Sequence, residues 1–133
     1  MSVRFVSLGC TDAVSGEQID NPSWEDVETL ISQMDGDRHA EVGLMVDDDR
    51  NMHMLIGGGE KNQYILNIVD DDELYQLKNP NGSADKDIRI FDGQGVEYPE
   101  DEVVGLADVL RAARWYFEHN KPDPSLQWGQ WGE

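Results

Sequence analysis

Between Glu41 and Tyr98 the apolar residues recur at every second position. Val42, Leu44 and Val46 alternate with Glu41, Gly43 and Met45. Met52, Met54 and Ile56 alternate with His53 and Leu55, and Tyr64, Leu66 and Ile68 with Gln63, Ile65 and Asn67. A period of two turns side chains to opposite faces of an extended chain, so these runs predict strands, with shorter ones at Leu74–Leu77 and Ile88–Phe91. The connectors are rich in turn residues: Asp47–Asn51, Gly57-Gly58-Gly59, Asp70–Asp72, Asn79-Pro80-Asn81-Gly82 and Asp92-Gly93-Gln94-Gly95. None is long enough for a crossover helix, which parallel pairing requires. The strands are therefore expected to pair as an antiparallel meander.

Helical periodicity flanks this block. Ser23 can cap a helix, with Asp26 in the capping-box position and Pro22 just ahead. Trp24, Val27, Leu30, Ile31 and Met34 then share one face, and Gly36 can end it. A second helix is expected after Tyr98-Pro99, with Glu100, Asp101 and Glu102 in its first turn and Arg111, Arg114, His119 and Lys121 toward its end, as the helix dipole favours. Its apolar stripe is Val103, Leu106, Ala107, Leu110, Ala113 and Phe117, with Trp115 and Tyr116 widening it or facing out. Val3–Leu8 reads as one further strand, and the tail from Lys121 as irregular chain packed through its aromatics. The expected class is α+β: a meander of about five to six strands with two helices on one face, in a single domain over residues 1–133.

The charge carries the functional reading. Twenty-eight Asp and Glu oppose ten Lys and Arg, a net charge of −18 on 133 residues. Bunched carboxylates repel one another and oppose compaction, so a fold that keeps them implies a use, and a strongly basic partner is the natural one. Acidity that only aids solubility is the plainer reading. Phosphate and anionic lipid would be repelled, which argues against nucleic-acid and membrane binding. Alternate turns of a meander lie at the same end of the sheet. Asp47, Asp48, Asp49, Asp70, Asp71, Asp72, Glu73 and Asp92 are accordingly expected to gather at one edge and form the partner-binding surface. The Gly57–Gly59 and Asn79–Gly82 turns should lie at the other end, nearly free of acid.

Other chemistry finds little support. The run Asp47-Asp48-Asp49-Arg50-Asn51 opens like a calcium loop, but Met52 and Gly58 stand where Gly and Glu are required. His39, His53 and His119 are scattered, and His53 alternates outward as a surface residue. The one cysteine, Cys10, allows no internal disulfide and suits a reducing cytoplasm. The glycines at 57–59 lack the Lys-Ser/Thr pair of a phosphate loop. The start MSVRFVSLGC has no long apolar core, so no signal peptide is expected. No catalytic constellation and no cofactor or metal site is expected.

One further pattern is specific. Asn21-Pro22-Ser23-Trp24 opens the first helix, Tyr64-Ile65 lies in a strand, and Gly93-Gln94 precedes Tyr98-Pro99. Ala112-Ala113 and Phe117 follow on a helix, and Pro124-Ser125-Leu126-Gln127-Trp128 closes the series. Over roughly residues 20–128 this resembles the immunity-protein family numbered one of bacterial polymorphic-toxin and contact-dependent inhibition systems. The resemblance implies a non-catalytic cytoplasmic antitoxin, monomeric or weakly dimeric, that blocks the C-terminal domain of a cognate toxin. Toxins paired with that family are often nucleic-acid-directed, deaminases and nucleases among them. The alternative is an acidic binding module, or a chaperone for a basic client, with or without a calcium response.

Overall fold

The computed structural model describes residues 2–9, 17–37, 39–47, 49–90 and 95–131. Along the chain lie β1 (Phe5–Gly9), β2 (Glu17–Asp20), α1 (Trp24–Ser32), β3 (Glu41–Asp47), β4 (Met52–Gly58), β5 (Tyr64–Asp70), β6 (Glu73–Leu77), β7 (Asp87–Ile90), β8 (Val96–Pro99), α2 (Leu106–His119) and β9 (Trp128–Trp131). Seven strands form one antiparallel sheet in the order β2-β1-β3-β4-β5-β6-β9, and β7 pairs with β8 in a second, two-stranded sheet. The α+β class holds. The meander is real from β3 to β6, while β2 and β9 extend the sheet beyond the expected strands.

The two phases of the alternation become two faces. Val6, Leu8, Val42, Leu44, Met54, Ile56, Leu66 and Ile68 are buried against Val27, Leu30 and Ile31 of α1 and Val109, Ala112, Ala113 and Tyr116 of α2. Both helices thus lie on one face, as expected. Removing that apolar surface from water is the main term holding the layers together. Helix α1 starts as its sequence dictates. The Ser23 hydroxyl accepts from the Asp26 amide at 3.2 Å, and the Asp26 carboxylate accepts from the Ser23 amide at 2.9 Å, which completes the capping box.

Three expectations are corrected. Glu100–Glu102 form a separate 3-10 turn, and α2 starts only at Leu106. The intervening Val104 is needed elsewhere: its amide and carbonyl both pair with Tyr64, at 2.9 Å each. Within α2, Ala107 is exposed, contrary to expectation, while Tyr116 is buried and widens the stripe. Lacking a capping side chain at Gly105, the helix borrows one: Asn62 Oδ1 accepts from the Leu106 amide at 2.8 Å. Second, Ile88 and Arg89 lie in β7, which leaves the meander and packs Ile90 with Ile65 and Val103 on the sheet's other face. Third, the tail is partly strand: β9 pairs with β6 from Leu77↔Trp128 to Leu74↔Trp131.

Candidate docking site

The two aspartate runs meet. The β3–β4 and β5–β6 turns emerge side by side, and the Asp71 amide donates to the Asn51 carbonyl at 3.2 Å. An Arg50–Asp70 ion pair of 3.4 Å spans the same gap. Asn51 and Asp71 take left-handed backbone, at φ 54° and 60°, a conformation Asn and Asp tolerate better than bulkier residues. Within the turns the carboxylates divide their labour. Asp47 Oδ1 accepts from the amides of Asp49 (2.9 Å) and Arg50 (3.3 Å), so it shapes its own turn. Glu73 accepts from the Tyr75 hydroxyl, a bond that raises the tyrosine's pKa. Asp49, Asp71 and Asp72 are exposed, and among the described residues no ion pair neutralises them.

Of the eight expected site residues, Asp47, Asp49, Asp70, Asp71, Asp72 and Glu73 are therefore brought together. Asp48 and Asp92 lie outside the described residues. The strand that precedes Asp92 ends at Ile90, whose side chain lies against Gly58 at the opposite end of the sheet. That end is not acid-poor, contrary to expectation. Asp35, Asp37 and Glu60 line a cleft there with Arg89, and Lys78 pairs with Asp101 and Glu102 at 3.7 Å each. The amides of His39 and Asp37 hold the Asp35 carboxyl below its ordinary pKa. The charge spreads over both ends, with the aspartate runs as its densest described portion.

The other face of the sheet is a second candidate surface. Its middle rows run Phe5–Met45–His53–Val69–Leu74 and Ser7–Gly43–Leu55–Asn67–Gln76, in register across β1, β3, β4, β5 and β6. Among the described residues, Phe5, Met45, Leu55, Val69 and Leu74 belong to neither hydrophobic cluster, while Gln76 at the β6 end of the second row is buried. His53 is half-buried here and not a surface residue, and burial lowers its pKa. A signal was present: the second phase of the alternation contains Met45, Leu55 and Ile65, where a solvated face would be polar.

Among the described residues, no group of three or more His, Cys, Asp or Glu is placed to hold a metal ion. No described helix is long and apolar enough to cross a membrane. The cleft between the helices, lined by Trp24, Arg111, Arg114 and Asp123, is already internally paired. Arg114 sits 5.5 Å from the Trp24 ring centre, and Arg111 is 3.7 Å from Asp123.

No curated protein matches the chain. A family model described as immunity protein Imm1 matches residues 15–130, from just before β2 into β9. Immunity proteins of this family are binders of a cognate toxin and not catalysts, so the clustered carboxylates belong to a binding surface or a fold, not to an active centre. With residues 15–130 of 133 matched, the chain belongs to the Imm1 family of immunity proteins.

Proposed function

We propose that this immunity protein neutralises the C-terminal effector domain of a toxin that acts on nucleic acid, in the cytoplasm, and that its acidic turns engage the effector's basic substrate cleft. A cleft that binds phosphodiester must be rich in Lys and Arg, and clustered carboxylates compete for it directly. The observation that supports this reading is the joining of the β3–β4 and β5–β6 turns through Asp71 and Asn51, which sets exposed Asp49, Asp71 and Asp72 on one end of the sheet. A concentrated patch steers encounter far better than the same charge spread evenly, and salt weakens the steering.

The test reverses Asp49, Asp71 and Asp72 to Lys and leaves Asp47 and Asp70, which tie the turns, in place. The association rate with the toxin domain encoded beside this chain is expected to fall at least about tenfold at low salt, with a flatter salt dependence. Stopped-flow mixing over a range of NaCl concentrations measures both. Unchanged rate and salt slope would refute the acidic contact.

A further inference from the structure

The face of the seven-stranded sheet opposite the helices has a property that a solvated face does not need. It is apolar where it should be polar: Phe5, Met45, Val69 and Leu74 are only half-buried, and Leu55 retains 37% of its exposure, one of the highest values among large described hydrophobics. Gly43 stands in the central row between Ser7 and Leu55, and a β-carbon there would crowd the Ser7 hydroxyl at 3.3 Å and Leu55 at 3.4 Å.

The face's surroundings indicate which occupant. Its outer row borders the turns that bear Asp49, Asp71 and Asp72, and Asp20 of β2 stands opposite Phe5 at its flank. Two copies of this chain face to face would bring these acidic rims together, which net −18 makes unfavourable. A basic protein would meet them favourably.

We propose that the basic toxin domain docks on this face, packing an apolar side chain against exposed Leu55 and the half-buried residues beside it. The proposal rests on the reading of the chain as an antitoxin for a basic effector, and it makes the aspartate turns the rim of the footprint and not its centre. An interface of this build has a dry apolar anchor that sets residence time, and a charged border that sets encounter rate.

Leu55→Arg, Leu55→Ala and, as a control on the second sheet, Val96→Arg separate the possibilities, using the full chain and the toxin domain encoded beside it. Leu55→Arg is expected to weaken the complex at least about thirtyfold, mostly by faster dissociation, and Leu55→Ala about tenfold. Val96→Arg should change it by less than about twofold, in line with a position outside the contact. Thermal melting checks each fold, and Leu55→Ala carries the test if Leu55→Arg melts early. Unchanged affinity in both Leu55 variants, with loss on reversing Asp49, Asp71 and Asp72, would place docking on the turns; the inference falls while the antitoxin reading stands. A wild-type chain that neither binds nor inhibits the toxin domain overturns that reading and the inference with it. A wild-type dimer in sedimentation that Leu55→Arg dissociates would assign the face to a second copy and likewise overturn the proposal.

Discussion

Asp123 shows how much one residue can hold. It is 4% exposed. Burial pushes its carboxyl up, but the Ser125 hydroxyl at 2.6 Å and amide at 2.8 Å, with Arg111 and His119 nearby, outweigh that and hold its pKa below 3.8. Its carbonyl accepts from the Trp128 indole at 2.9 Å, so the same residue fastens α2 to the start of β9. Asp123→Ala is expected to cost about 1–3 kcal/mol in urea unfolding at neutral pH. A lowered native pKa means that the unfolded chain takes up the proton first. The contribution is complete above the unfolded value and fades as pH falls through the native one. The gap between variant and wild type should therefore close below about pH 4. Nothing in the sequence marked this residue. Pro122 and Pro124 on either side break any periodicity, and its partners are chosen by the packing of the tail.

At the scale of elements, signals that are local in the chain were legible and those that depend on distant partners were not. The capping box of α1 is complete in four consecutive residues, and the alternation of β3, β4 and β5 needs only one face of the sheet to be buried. Glu100-Asp101-Glu102 reads as a helix start by the same local rules, yet Val104 is claimed by Tyr64, some forty residues back in the chain, and the helix waits until Leu106. The glycine turn after β4 is a case where the sequence and the geometry agree. Gly58 has φ 102°, and a β-carbon there would lie 2.5 Å from the Gln63 carbonyl oxygen. Gly58→Ala should destabilise the fold by about 1–3 kcal/mol from backbone strain, plus whatever the clash adds. Differential scanning calorimetry should show the lowered melting temperature.

For the whole molecule, a net −18 gives folding and binding opposite responses to salt. Screening relieves repulsion within the native chain, and it weakens attraction to a basic partner. Raising NaCl from about 0.05 to about 0.5 M should lift the melting temperature by a few degrees while lowering the association rate with the toxin domain. Coinciding signs would mean that one of the two is not electrostatic. The acidic edge was partly legible, because two turns of one meander must lie together. Its third expected member, the turn with Asp92, lies outside the described residues, beyond the β7 strand that leaves the sheet to cover Ile65. The return of β9 to β6 left no trace in the sequence, since a pairing across so many residues has no local period. The apolar character of the face opposite the helices is legible in the second phase of the strands, as Met45 and Leu55.

Strand β2 closes the far side of the sheet, with only β1 beside it. Its Glu17 and Asp20 are exposed at the two ends of a four-residue stretch. If the β2 strands of two molecules paired antiparallel about their midpoint, Glu17 of each would lie against Asp20 of the other. Growth of fibres from this margin is thus opposed by carboxylate meeting carboxylate at both ends. A margin built this way disfavours edge-to-edge association of the protein even when it is concentrated.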